Sequence, residues 1–361
     1  MRKSVYIYGL SSLLLAACTR SDDAIEQATR GILFQPVVYS THTQVRAGND
    51  YPQGVSFGTY AWMGLDDKQI NLEPYIPNTE VTYQAPHWAP VTPAYWPLSG
   101  FLDFFCYSPY AASNPQPAVE VHTDYWLNTL TYTDVVASVT GTTPDYMYTE
   151  KSINQSYETT GKGGGVSAIF NHALAKVKVG VRLSTVDDGK GKTWQVKLKT
   201  FTINNITNKG GVVLKLSSDK SKWTKPSPAA VWKESTEITD KETWDVLLGK
   251  TDAEKQLTTT SLVTLKEALV IPQALEEAMK LTIAYDIITT KGGTSNTEQK
   301  ELTVVLNTIK SGGNPILNWE MNKVISYNVV INPPSSRKPL TFDPSIGEWT
   351  GNEPDIEVRP N

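Results

Sequence analysis

The segment AKVKVGVRL, residues 175–183, places Val177, Val179, Val181 and Leu183 on one face and Lys176, Lys178, Gly180 and Arg182 on the other. A period of two marks a strand with one face in a core, because successive side chains of an extended chain point to opposite sides of the sheet. Short segments of this kind recur along the chain: GILFQPVVY, VSFGTYAWM, TWQVKLKTFTI, GVVLKL, MKLTIAYDII, KELTVVLN and KVISYNVVIN. Turn formers separate them, as in DDGKGK after Leu183, NKGG before Val212 and KGGTSN after Thr290, which is hairpin and loop chemistry at the spacing of a sandwich. Only SLVTLKEAL and ALEEAMK offer a helical spacing, each a turn or two at most, so parallel βαβ architectures are not expected. The pattern predicts an all-β protein.

The opening MRKSVYIYGLSSLLLAAC has Arg2 and Lys3 ahead of an uncharged run over residues 4–17, the plan of a signal peptide and too short to span a bilayer as a helix. Leu15-Ala16-Ala17-Cys18 resembles the bacterial lipobox, in which small residues admit a signal peptidase and the cysteine thiol receives a diacylglycerol. Residues 1–17 would then be removed and Cys18 lipidated. The alternative is an ordinary secretory signal in which Cys18 is incidental. Each buried methylene of an acyl chain stabilises attachment by about 0.8 kcal/mol, so a multiply acylated chain, palmitate included, is tethered. The following TRSDDAIEQ is polar and reads as a flexible tether, and its Ser21-Asp22-Asp23 resembles an acidic signal for export to the outer face of the outer membrane.

With Cys18 lipidated, Cys106 is left without an internal partner inside FLDFFCYSPY and reads as a small buried hydrophobe. The formal charge of -4 becomes -6 once Arg2 and Lys3 are lost, which gives no basic surplus for nucleic acid. At 361 residues the chain suits two domains. The flexible TTGKGGGVSA at 159–168 places the boundary near residue 162, dividing the chain into an N-terminal sandwich over 47–162 and a C-terminal one over 163–361.

Signals of chemistry are few. His42, His87, His122 and His172 are isolated and predict no metal. GKGGGV lacks the Lys-Ser/Thr of a phosphate loop and reads as a linker or hairpin loop. No Gly-x-Ser-x-Gly elbow occurs, and the carboxylates show no acid/base spacing, so neither an enzyme nor a cofactor is expected. Trp88, Tyr95, Trp96, Phe101, Phe104, Phe105 and Tyr107 could form a platform that stacks on sugar rings or could be strand and core residues; the second is preferred.

In AIFNHALAKVKVGVRL, residues Phe170, His172, Ala173, Ala175, Lys176 and Val177 match the Phe-x-His-x-(Leu/Met)-Ala-Lys-(Val/Ile) stretch of the fimbrillin family, the type V pilins of oral and gut anaerobes. RAGNDYPQGVSFGTYAWM, ALVIPQALEEAMKLTIAYDI and the carboxy-terminal WEMNKVISYNVVIN...LTFDPSIGEWT follow in the family's order, so most of the mature chain resembles that family. The resemblance implies two transthyretin-like Greek-key sandwiches, export as an outer-membrane lipoprotein, and cleavage by a trypsin-like, arginine-specific surface protease. Cleavage removes the first strand, and the carboxy-terminal segment of another fimbrial subunit fills the groove by strand addition.

GILFQPVVY would be that strand, and the polar loop after it suits cleavage between Arg46 and Ala47; cutting at Arg20 or Arg30 would leave the strand attached. Residues 18–46 then form the tether and the removable strand. The donor would lie in residues 337–361, with Leu340, Phe342, Ile346, Ile356 and Val358 as apolar anchors and prolines that keep the tail from becoming a central strand. The implied function is a structural subunit of a cell-surface fimbria contributing to adhesion, with stalk, anchor and tip roles all open. The alternative is a surface glycan-binding lipoprotein.

Overall fold

The structure is a computed structural model and describes residues 30–38, 49–65, 68–69, 73–110, 118–121, 127–141, 143–149, 152–187, 191–217, 230–234 and 241–349. Cys18, Arg46, Ala47, Ile356 and Val358 lie outside the described residues, as do His42 and His122. Among the described residues the fold is all-β, with 3-10 turns and no α-helix. Each alternating segment singled out in the sequence contributes a strand.

The first half forms one ten-stranded sheet. Its path runs Ser152–Gln155, Phe101–Ser108, Met147–Thr149, Val166–His172, Phe34–Val38, His87–Pro90, Ile76–Gln84, Phe57–Leu65 and Lys68–Gln69, and Asn49–Asp50 pairs with Phe34–Val38 as well. Phe101–Ser108 also pairs antiparallel with Phe57–Leu65, so the ladder returns on itself. The enclosed core holds Ile32, Phe34, Phe57, Trp88, Phe104 and Phe170 among others. Period two explains the sorting: along Val166–His172, Val166, Ala168, Phe170 and His172 are buried while Ser167 and Ile169 are exposed.

The second half is a sandwich of two sheets. One joins Val263–Val270, Ala175–Leu183 and Lys323–Ile331, with Leu340–Phe342 and Ser345–Glu348 on the far edge. The other joins Lys241–Asp245, Thr193–Thr207, Lys280–Lys291 and Thr294–Val305. Val177, Val179, Val181 and Leu183 face Val196, Leu198, Phe201, Ile203, Leu281 and Ile283 in one core, as their alternation requires. In Thr193–Thr207 the alternation slips at Lys199 and Thr200, both exposed, where a bulge shifts the register against Lys280–Lys291.

A further sheet joins the halves. Leu127–Val136 from the first pairs antiparallel with Lys209–Ser217 from the second, flanked by Ala118–Val121 and Ala230–Glu234. Beside it, Tyr60, Trp62, Phe105, Tyr107, Tyr132 and Tyr146 pack with Leu174, Ile271, Val324 and Trp349. Residue 162 lies in a connection between two strands of the first sheet, and the chain leaves that sheet at Ala173 and Leu174.

Two local expectations are corrected. SLVTLKEAL is not a helical turn: Val263–Val270 pairs antiparallel with Ala175–Leu183, and its weak alternation reflects a strand with few buried residues. NKGG is not a free turn either, since Gly210 and Gly211 lie within Lys209–Ser217 where the register shifts. KGGTSN does turn the chain, with Gly292 and Gly293 at φ 55° and 80° between the paired Lys291 and Thr294.

Candidate functional site

The sequence GILFQPVVY builds the site. Ile32, Phe34, Pro36 and Val38 point into the first core while Gln35 faces out, so the segment is a one-sided strand. Burying such a side chain stabilises the fold by roughly 1.5–3 kcal/mol. Phe34 is 2% exposed and meets Phe57 and Phe104 edge-on, with ring centroids 5.6 and 5.7 Å away. The wall continues through Tyr51, whose ring lies 4.9 Å from Phe170 and 5.2 Å from Trp88.

Phe34–Val38 is an inner strand, yet its ladder is full on one side only. It runs parallel to Val166–His172 from Phe34 opposite Val166 to Val38 opposite Phe170. On the other side it pairs with Trp88 at Phe34 and with Asn49–Asp50 at Val37 and Val38, but not at Pro36. A proline, which has no N–H to donate, fits that gap.

The glycine-rich loop lies against the outside of this strand. Val166 N donates to the Leu33 carbonyl at 2.8 Å, and the Gln35 amide nitrogen donates to the Gly163 carbonyl at 3.5 Å. Gly165 has φ 128°, and a Cβ there would sit 2.6 Å from Leu33 O. A Cβ at Gly164, φ 103°, would sit 2.7 Å from Gln35 Nε2. The sequence reading as a mere linker or hairpin loop missed this contact; three consecutive glycines, more than a reversal needs, were the available signal.

The lead into the strand is also built into the fold. Arg30 is buried, donates from Nη2 to the Pro97 carbonyl at 3.2 Å and lies 4.6 Å over the Tyr157 ring. Gly31 bridges to Tyr95, and Trp96 N donates to Arg30 O at 2.9 Å.

The tail lies on its own sheet edge. Leu340–Phe342 pairs antiparallel with Lys323–Ile331 at residues 329–331, Ser345–Glu348 pairs with it at 323–326, and Asp343 and Pro344 separate the two. Leu340 and Phe342 pack half-buried on the second core, whereas Ile346 is 46% exposed. Trp349 is 4% exposed and stacks on His172, centroids 3.7 Å apart and planes 3° apart. Lys176 Nζ lies 4.7 Å over the Trp349 ring. His172 Nδ1 contacts the Asp145 carboxylate at 3.0 Å, and Lys323 pairs with Glu348. Neither the stack nor its partners could be read from sequence.

Burial pushes the Cys106 thiol up to about 12 and the Tyr51 phenol well above its ordinary range, although Tyr51 shares a 2.5 Å hydrogen bond with Ser108. Among the described residues no group of three or more His, Cys, Asp and Glu could hold a metal ion. Of the seven aromatic residues considered for sugar stacking, Trp88, Trp96, Phe104, Phe105 and Tyr107 are buried and Phe101 is half-buried, which leaves Tyr95 exposed at 40%. The five buried rings are core.

The fold is similar to that of a fimbrial protein from Bacteroides vulgatus, with TM-score 0.59 and 16% identity over 89% of this chain and 100% of that one. Candidate cell adhesion proteins from Bacteroides ovatus (12% identity, 89% and 98% covered, TM-score 0.49) and Bacteroides uniformis (14% identity, 89% and 99% covered, TM-score 0.47) also align. No curated protein sequence matches. Residues 43–349 match the family model described as Fimbrillin-like, and over that span, most of its length, the chain belongs to the Fimbrillin-like family.

Proposed function

We propose that the protein is a structural subunit of a cell-surface fimbria that contributes to adhesion and assembles by strand replacement. One observation carries this reading: the first strand is an inner strand with its apolar face in an aromatic core and a full ladder on one side only. Its removal would open a trough lined by Phe57, Trp88, Phe104, Val166, Ala168 and Phe170. An incoming strand with alternate apolar side chains would restore both burial and ladder.

Cleavage between Arg46 and Ala47 would release the strand with residues 18–46. Arg30, buried and bonded to Pro97, is poorly presented to a protease, which favours Arg46 over it. Before cleavage the chain is an outer-membrane lipoprotein held through Cys18, and it consists of two transthyretin-like domains. The donor comes from residues 337–361 of another fimbrial subunit, with Leu340, Phe342, Ile346, Ile356 and Val358 as its candidate anchors.

The test is brief trypsin treatment of the folded protein lacking its lipid anchor, followed by mass spectrometry of the new terminus and size exclusion. A terminus at Ala47 with growth into oligomers is expected. Resistance at Arg46, or cleavage there with a product that stays monomeric, overturns the proposal.

A further inference from the structure

Thr294–Val305 is the outer strand of its sheet in the second sandwich. It pairs with Lys280–Lys291 along its whole length without a register shift, and its other side has no partner among the described residues. Thr294 to Gln299, Glu301 and Thr303 are exposed, and the sequence TSNTEQKELTVV contains no proline. Sheet edges ordinarily carry a proline, a bulge or an inward charge that keeps them from pairing with another chain. This edge has only the charges of Glu298, Lys300 and Glu301.

The hairpin turn fixes which backbone groups the edge offers. Gly292 and Gly293 both have positive φ and form a two-residue turn, so Lys291 and Thr294 exchange hydrogen bonds. Bonded and non-bonded pairs alternate along an antiparallel ladder. The N–H and C=O groups of Ser295, Thr297, Gln299, Glu301 and Thr303 are therefore turned outward. The side-chain contacts of Thr282 with Thr303, at 3.1 Å, and of Thr290 with Ser295, at 3.0 Å, fall at the non-bonded pairs, where side chains come closest.

Opposed residues of a ladder share a face, so a strand paired antiparallel with its own copy places one residue opposite itself. The registers that pair the most residues centre on Gln299 or on Lys300. Centring on Lys300 would set the ammonium against its own copy, and centring on Glu298 or Glu301 would oppose two carboxylates, both destabilising arrangements. Centring on Gln299 sets Glu298 opposite the partner's Lys300 and Lys300 opposite the partner's Glu298, at positions where side chains are nearest. Ser295 then meets the partner's Thr303, and the outward backbone groups bond in pairs. Within one chain Lys300 already pairs with Glu298, so this register gathers two ion pairs into one alternating cluster.

We infer that Thr294–Val305 pairs edge to edge with the same strand of a second copy of this chain, antiparallel and centred on Gln299, joining two sheets into one. The surface uses neither the first strand nor the tail, so the inference is independent of strand replacement.

Uncut full chains lacking the lipid anchor test it, and none of the side chains to be replaced is buried. Under mild oxidation Gln299→Cys should give a linked dimer, since its two Cα atoms would lie about 5.5 Å apart. Thr297→Cys and Glu301→Cys should not link alone, because each would sit about 13 Å along the strand from its own copy, but should link when mixed. In sedimentation equilibrium Glu298→Lys and Lys300→Glu should each be monomeric alone and dimeric when mixed, because each then faces the opposite charge. The inference is overturned if Gln299→Cys does not link, if Thr297→Cys and Glu301→Cys link as readily alone as mixed, or if the charge-reversed chains dimerise alone.

Discussion

Gly165 shows how one missing Cβ can fix the position of a strand. Its φ of 128° lies where side chains are rarely accommodated, and the atom that Gly165→Ala would add falls 2.6 Å from Leu33 O, on backbone that cannot rotate away. Strain of this kind costs roughly 1–3 kcal/mol. Gly165→Ala should therefore lower the urea midpoint and speed amide exchange in Phe34–Val38 ahead of the rest of its sheet. Gly163→Ala, which meets nothing within 4 Å, should do neither. Equal exchange in the parent and Gly165→Ala would show that the loop does not hold the strand. Only an excess of backbone freedom is legible in GKGGGV, because glycine composition says nothing of a partner far away in sequence. The alternation of Ile32, Phe34, Pro36 and Val38 is local, and it was legible.

At the scale of elements, the tail is secured mainly at its end. Leu340–Phe342 and Ser345–Glu348 are short pieces on one sheet edge, and every residue of the second is exposed, so their ladders add little burial. Trp349 supplies what they lack, with one face on His172 and the other under Lys176. Truncating a buried tryptophan to alanine typically costs about 3–5 kcal/mol, part of it from the cavity left behind. Here the loss should be local: Trp349→Ala should leave the core strands Ala175–Leu183 and Thr193–Thr207 protected while the amides of 345–348 exchange freely. If those amides stay as slow as in the parent, the tryptophan is not the mooring. The strands of the second sandwich could be placed from sequence because their alternation is strong. Val263–Val270 could not, since it buries few residues and its apolar spacing mimics a helix. Trp349 belongs to no periodic run, so nothing nearby in the chain announces its pocket.

At the scale of the molecule, Leu127–Val136 and Lys209–Ser217 share a ladder, and a cluster of tyrosines fills the space beside it. Such a junction leaves no local signal, because the two strands pair across a long stretch of chain and each reads as an ordinary strand. It should nevertheless govern alkaline stability. An unfolded tyrosine titrates near 10.0, whereas burial pushes Tyr60 and Tyr285 up to about 12 and holds Tyr132 well above its ordinary value. Among the described residues the hydroxyl of Tyr132 is buried without a hydrogen-bond partner, so its phenolate would be formed in an apolar cluster at high cost. Above pH 10 the unfolded chain therefore releases protons that the folded chain keeps, and stability is present in full below pH 10 and falls as pH rises through about 12. A pH titration followed by tertiary circular dichroism should give one cooperative transition, delayed beyond ordinary tyrosine titration, with the phenolate absorbance of the buried tyrosines rising in that same step. Tyr60 and Tyr132 sit at the junction and Tyr285 in the second core, so one transition means that both halves unfold as a unit. Two separate steps in the circular dichroism would mean that the shared sheet does not couple them, and loss of the fold already complete near pH 10 would mean that Tyr60, Tyr132 and Tyr285 are not shielded as described.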